Sequence, residues 1–289
     1  METGKLQIFE SPNLSDSRMI MGFSGWMDGG DVSIGPVKYF IEKLGARKFA
    51  VIEPEGFYIE NFPASMEVSA TFRPHTKIED GMIKKFEFTR NEFFYSPQAN
   101  LILSVGKEPN LLWRTFTERI FELCDRCRVR KVYFIGSVAG LVPHTREPRI
   151  SCSVSDEKMK ETLQHYGIKA SSYEGPASVV TYMMTQAAQK GISMASLIAM
   201  VPAYVQGHNG KCIEAVVRRL SGILNINLQT NDLQAESEEF EKKLNDIVQG
   251  QQDLANTICK LEEDYDNEIF DTELGDLKDW LQQQGIRLD

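Results

Sequence analysis

Met19-Ile20-Met21-Gly22-Phe23-Ser24-Gly25-Trp26-Met27-Asp28-Gly29-Gly30-Asp31 is the stretch that decides the fold class. The apolar run Met19–Phe23 predicts a short strand that ends in a glycine-rich loop. Beyond the loop, Ile34, Val37, Ile41 and Leu44 recur at helical spacing, and Gly45 closes that helix. Strand, loop and helix in that order form the first unit of an α/β layer.

The same alternation continues outward. Phe49–Ile52 is the next strand candidate. Residues 53–98 read as loops and paired strands, with Pro54, Pro63, Pro74 and Pro97 as punctuation. Within them Met82–Phe88 alternates like a strand with one wet face. Leu101–Val105 follows as a compact β run. Pro109–Arg128 reads as a helix with Leu112, Phe116, Ile120, Leu123 and Cys127 on one face. Val132–Ile135 is another buried strand, ended by Gly136. Residues 156–166 form a helix closed by Gly167. Gly175-Pro176 opens a further helix with proline at its first position, and that helix ends near Gly191. Leu197–Val201 and Cys212–Ile223 supply the next strand and helix. This rhythm predicts a layered α/β fold with a largely parallel sheet, interrupted after Glu53 by an inserted hairpin region.

The net charge of −9 is unevenly spread. Residues 231–289 hold 17 acidic and 5 basic side chains, a balance of −12, whereas residues 1–230 hold 24 acidic and 27 basic, a balance of +3. The chain therefore divides into an α/β body, 1–230, and an acidic helical extension, 231–289. In the extension Phe240, Leu244, Ile247, Gln251, Leu254, Ile258, Leu261 and Tyr265 step alternately by four and three. That is a coiled-coil-like seam with one polar member, and Gly250 beside it can end one helix and begin another. The stripe predicts packing on the body or contact between subunits. Leu274, Leu277, Trp280 and Leu281 form a second amphipathic piece.

Composition excludes several function classes. A content of 42% hydrophobic and 25% charged residues is that of an ordinary globular protein rather than a disordered one. No uncharged apolar run approaches the roughly 20 residues that span a bilayer, and the N-terminus carries no signal-peptide pattern, so no membrane association is expected. Five scattered cysteines suit a reducing cytoplasm. A pI near 5.2 argues against a nucleic-acid partner. Arg126, Arg128, Arg130 and Lys131 read as a solvated helix end. Cys124 and Cys127 have C-x-x-C spacing but no second ligand pair, and their place on an apolar helix face predicts core packing rather than metal binding. No metal or cofactor is expected.

Ligands of open α/β sheets bind beyond the carboxyl ends of the strands, and four loops qualify. The first holds Ser24, Gly25, Trp26, Asp28, Gly29 and Gly30. Its glycines and the helix after it suit an anion, while a tight turn capped by Asp28 or Asp31 is the equal alternative. It matches no Walker, dinucleotide or nucleophile-elbow pattern. The second runs from Gly136-Ser137 to Pro143-His144-Thr145-Arg146. His144 and Arg146 there suit a carboxylate or phosphate, against the alternative that Arg146 pairs with an acid across a subunit contact and His144 caps backbone. The third is Tyr173-Glu174-Gly175-Pro176, where Glu174 is either a general base or an acid favoured by the helix dipole. The fourth, Pro202-Ala203-Tyr204, offers a phenol and no strong catalyst.

In order along the chain, these segments resemble a known family. Gly25-Trp26-Met27-Asp28-Gly29-Gly30 is similar to the GW-x-D-A-G loop of the proteasome assembly chaperone family named for its second subunit. Pro143-His144-Thr145-Arg146 resembles the PHTR segment of its bacterial branch, and Tyr173-Glu174-Gly175-Pro176 its Y-x-GP. Val201-Pro202-Ala203-Tyr204-Val205 resembles VPHYV, with alanine where histidine is common. Leu261-Glu262-Glu263-Asp264-Tyr265-Asp266 resembles LE-x-x-YD. The resemblance implies a three-layer α/β/α sandwich like that of purine nucleoside phosphorylases, with a C-terminal helical extension. It also implies homo-oligomers, trimers first. Eukaryotic and archaeal members act as chaperones in proteasome assembly. Some archaeal ones dock through a hydrophobic-Tyr-x tail, which Gly285-Ile286-Arg287-Leu288-Asp289 lacks. The resulting expectation is a non-catalytic oligomeric assembly or binding protein with a protein partner. The alternative is an enzyme or small-molecule binder in which Asp28, His144, Arg146 and Glu174 converge on an anionic or nucleoside-like ligand in a phosphorylase-like cleft.

Overall fold

The computed structural model describes residues 4–283, with side chains through Glu268. In chain order it forms β1 (Leu6–Ile8), β2 (Ser17–Ser24), α1 (Ile34–Lys43), β3 (Arg47–Ile52), α2 (Met66–Ala70), β4 (His75–Glu79) and β5 (Met82–Glu87). Then come β6 (Asn91–Ser96), β7 (Leu101–Lys107), α3 (Trp113–Arg126), β8 (Val129–Gly140), β9 (Ile150–Val154), α4 (Glu157–Gln164) and β10 (Lys169–Ala170). The chain continues with α5 (Val179–Ala187), β11 (Ser193–Pro202), α6 (Gly210–Leu224), α7 (Asn231–Gln249) and α8 (Gln252–Gln283).

Nine strands make one sheet in the order β1-β3-β6-β7-β2-β8-β11-β9-β10. Its centre, β7-β2-β8-β11, is parallel. The flanks depart from the largely parallel sheet that the sequence predicts. On one side β1, β3, β6 and β7 pair antiparallel in turn, and on the other β9 runs against β11. The short link from Ser96 to Leu101 explains one reversal, because a tight turn joins antiparallel neighbours and cannot make a parallel crossover.

Strand β2 is central and covered on both faces. Met19 and Met21 join Phe116, Ile120, Val180 and Met183 in a core under α3 and α5. Ile20 joins Val37, Phe40, Met159, Val216 and Leu220 in a second core under α1, α4 and α6. Helices on both faces of a sheet give the three-layer α/β/α sandwich. Gly22 makes the layers fit, since a Cβ there would lie 2.1 Å from the carbonyl oxygen of Ser33 at the entry of α1.

Several local expectations change. The helix expected from Pro109 begins at Trp113, after Leu112 at φ 52°. The helix expected from Gly175-Pro176 begins at Val179, where the Ser178 hydroxyl accepts from the Thr181 N–H and supplies the cap. Met82–Phe88 has no dry face within the chain, because every residue of β5 is exposed. The seam of the extension is broken at Gly250-Gln251 into two helices rather than one coiled coil. Leu233 of α7 enters the core under α1 and α6, and Ile258 and Tyr265 of α8 are buried, whereas Ile247 is 53% exposed. The side chains of Leu274, Leu277, Trp280 and Leu281, and the segment 285–289, lie outside the described residues.

Candidate functional site

The carboxyl ends of the parallel strands bring the first two loops together. Past β2 the chain turns at Gly25, and Trp26 stands 59% exposed. Asp28 then faces Ser137 of β8 in a short parallel bridge. The Ser137 N–H donates to the Met27 carbonyl at 2.8 Å, and its hydroxyl donates to the Gly29 carbonyl at 2.7 Å. Gly30 adopts φ 67°, and its carbonyl accepts from the Asn209 N–H at 2.9 Å.

Asp28 Oδ1 accepts from the N–H groups of Ser33 and Ile34 at 2.8 and 3.2 Å. These donors at the entry of α1 are those an anion would need, and the chain's own carboxylate occupies them. Partial burial pushes the Asp28 carboxyl up to about 6, against the opposing pull of the two N–H groups. The geometry is that of a turn capped by a partly buried carboxyl group. Asp31 does not cap; its Oδ2 faces His208 Nδ1 at 3.2 Å, and His208 Nε2 faces Glu236 of α7 at 2.9 Å.

His144 sits where the second and fourth loops meet and is 2% exposed. Its backbone N–H donates to the Tyr204 oxygen at 2.8 Å, and Nδ1 lies 2.8 Å from the same hydroxyl. Nε2 lies 3.1 Å from Asn245 Oδ1 of α7. That network assigns the proton to Nε2, so the ring donates to Asn245 and accepts from Tyr204. Burial holds its pKa below the usual histidine range, which keeps it neutral. The adjoining cavity, lined by His144, Arg146, Lys211 and Phe240 among others, has a volume of about 10 Å³, room for a single water.

Arg146 is engaged by α8. Its Nε and Nη2 meet the two oxygens of Asp266 at 2.8 Å each, and Nη1 lies 3.2 Å from Glu262. The guanidinium holds the Asp266 carboxyl below its ordinary range. Thr145 donates to Glu262, and Arg149 pairs with Glu268 at 2.6 Å with its guanidinium 4.2 Å from the centre of the Tyr265 ring. The Tyr265 hydroxyl donates to the Glu147 carbonyl at 2.8 Å. Arg146 therefore pairs with acids, as one sequence alternative had it, but within the chain. Lys211 donates to the His144 carbonyl at 2.7 Å and pairs with Glu241 of α7.

Glu174 and Gly175 lie in an exposed loop, and Glu174 joins none of the other candidates. The carboxylate at the start of α5 is instead Glu108, whose Oε1 accepts from the Val179 N–H at 3.2 Å and whose pKa burial raises. Its own N–H donates to the Ser24 carbonyl at 3.0 Å, so it sits beside the first loop. Sequence reasoning passed over Glu108, although Lys107-Glu108-Pro109 follows a β run and qualified by the same strand-end rule. Among the described residues, no three His, Cys, Asp or Glu side chains are grouped to hold a metal ion.

A model of the PAC2 family matches residues 22–248. The chain is 24% identical to a proteasome-assembly chaperone homologue of Mycobacterium tuberculosis, with a TM-score of 0.72 over 83% of this chain and 99% of that one. A protein of unknown function from the same organism superposes with a TM-score of 0.80 at 20% identity, over 96% and 94% of the two chains. An archaeal proteasome activator of Pyrococcus furiosus superposes with a TM-score of 0.66 at 17% identity, over 86% and 99%. No curated protein matches in sequence. At these identities the structural likeness is one of fold.

Proposed function

The chain belongs to the PAC2 family, and from that premise we propose that it is a non-catalytic, homo-oligomeric protein, trimeric first, that assembles with or holds a protein partner in the cytoplasm. The family resembles proteasome assembly chaperones. The observation that supports this reading is the use to which the most reactive residues are put. His144 is buried and neutral, Arg146 is clamped by Asp266 and Glu262, and the N–H groups at the start of α1 are taken by Asp28. The described cysteines are all free thiols, which suits a reducing compartment. Among the described residues no helix is long and apolar enough to cross a membrane. Affinity capture of the intact full chain from native lysate is expected to return a stoichiometric protein partner. Repeated recovery of the chain alone would overturn the reading.

A second reading, a small-molecule site in a phosphorylase-like cleft, has one observation in its favour. The Asp28 carboxyl, raised to about 6, lies beside Ser24, Gly25, Trp26, Gly29 and Ser137 at the strand ends. A thermal-shift screen with nucleosides, nucleotides and phosphate tests it, and a concentration-dependent rise in Tm lost in Asp28→Asn is the supporting result.

A further inference from the structure

His144 sits on the seam between the body and the C-terminal extension. Tyr204 approaches it from the turn after β11, Lys211 from the start of α6, Asn245 and Glu241 from α7, and Glu262 from α8. Both ring nitrogens are engaged, Nδ1 with the Tyr204 hydroxyl and Nε2 with Asn245 Oδ1. The arrangement fits the neutral ring, which accepts at Nδ1 and donates at Nε2. A proton added at Nδ1 would point at the Tyr204 oxygen, which already accepts from the His144 backbone N–H at 2.8 Å. The Tyr204 hydrogen would lose its acceptor at the same time. Water has little room to take over, since the ring is buried and the adjoining cavity of about 10 Å³ holds a single molecule.

Burial is the main obstacle to a charge on this ring, and the Lys211 ammonium, which donates to the His144 carbonyl, adds to it. The Asn245 oxygen, Glu241 and Glu262 pull the other way, but Glu241 is paired with Lys211 and Glu262 with Arg146. Burial prevails, and the docked ring holds its proton less tightly than a ring in water. Acid therefore favours undocking. As pH falls from the ordinary value of 6.5 towards the lowered one, each unit weakens the docked state about tenfold. The other attachments decide what lets go. The start of α7 stays in place, because Leu233 lies in the core and Asp232 pairs with Lys43 at 2.7 Å. Acid does not loosen His208 either, since the protonated ring has a donor for each of Asp31 and Glu236. Beyond Glu241 the extension rests on Asn245, on two buried side chains, Ile258 and Tyr265, and on half-exposed ion pairs to Arg146 and Arg149 that contribute little each. The break between α7 and α8 at Gly250-Gln251 supplies a hinge.

We propose that His144 is an acid-sensitive catch for the extension: its protonation frees the end of α7 and the whole of α8 from the body and uncovers the basic loop 143–149. The catch holds under either functional reading above. Hydrogen–deuterium exchange on the full chain tests it, read as protection relative to an unstructured chain at the same pH. Between pH 7.5 and 5.5 the amides of 252–268 are expected to lose about five- to tenfold in protection, while those of β2 and β8 keep theirs. His144→Gln offers a donor and an acceptor but no charge, and its α8 protection is expected to change by less than about twofold over the same range. If that variant does not fold, the ring nitrogen chemical shifts of His144 in the unmodified chain decide the question, because its protonation is expected to coincide with the loss of α8 protection. Four results would overturn the catch: α8 protection that does not fall with pH, that falls equally in His144→Gln, or that falls only together with β2 and β8, and a His144 ring that gains its proton while α8 stays protected.

Discussion

The loop 143–149 and the hairpin 75–88 both lie outside the nine-stranded sheet, and their side chains meet opposite fates. Around the loop, Arg146, Arg149 and Lys211 find Asp266, Glu262, Glu268 and Glu241 on α7 and α8, and Tyr265 is buried beside them. In the hairpin, the ion pairs run along single strands and the isoleucines and phenylalanines face solvent. The uneven charge of the sequence is explained by the first region. A body of +3 and an extension of −12 are complementary parts of one chain, and the extension acts as a resident ligand for the body's basic loop. Among the described residues the hairpin has no such resident.

Removing the tail breaks this comparison most severely. A chain ending at Thr230 loses Leu233 from the core and uncovers the surface beneath Ile258 and Tyr265, while Arg146, Arg149 and Lys211 lose their carboxylates. Aggregation, or dissociation of the oligomer, is expected, read as a fall in soluble yield or in sedimenting mass. A soluble truncated oligomer would show the tail to be an accessory, and the proposed boundary at residue 230 to separate independent parts.

Single substitutions sharpen the contrast. Tyr265→Ala removes a ring that is 7% exposed, its contact with Arg149 and its hydrogen bond to Glu147. A loss of about 3 kcal/mol is expected from urea unfolding. Thr76→Ala on the hairpin removes one hydroxyl bonded to the Lys85 carbonyl at an exposed site, and its expected effect is within about 0.5 kcal/mol. Similar losses for the two variants would mean that α8 is not docked as described.

The body's architecture was legible because buried strands and amphipathic helices write their burial into the order of residues. Met19–Phe23 and Val132–Ile135 announce strands, and Phe116, Ile120 and Leu123 announce the helix face they share. The antiparallel flanks were not legible, since pairing partners depend on loop length and on chain returning from far away. At the candidate site, Asp28 as a turn cap and Arg146 as an ion-pair member stood among the sequence alternatives. Their partners did not: Asn245, Glu262 and Asp266 come from about a hundred residues or more downstream of the loop they hold. Glu108 was missed for a different reason, because a lone carboxylate after a strand has no spacing pattern of its own.

A smaller effect than that of Tyr265→Ala is expected on the covered side of the molecule, and it tests whether its loops are only packed. Asp28 accepts two backbone N–H groups and still has its pKa raised to about 6 from an ordinary 3.8. In the interval between those values the folded state binds the proton more tightly than the unfolded chain does. Stability contributed by this group is therefore present below the unfolded value and is lost as pH rises through about 6. At pH 7 the ionised carboxylate is a net cost, and asparagine keeps an acceptor for Ser33 and Ile34 without the charge. Asp28→Asn is thus expected to stabilise the protein by about 1–2 kcal/mol at pH 7 and to give no gain below pH 4. His144, with its lowered pKa, contributes the opposite slope: stability falls as pH drops below its unfolded value of about 6.5. That background is shared by both proteins, so the difference between Asp28→Asn and the unmodified chain isolates Asp28. A stabilisation confined to neutral pH would identify a charge retained at the expense of stability, at the strand ends where the small-molecule reading places its ligand. Equal stability of the two proteins across pH 4–8 would make Asp28 a turn cap and nothing more.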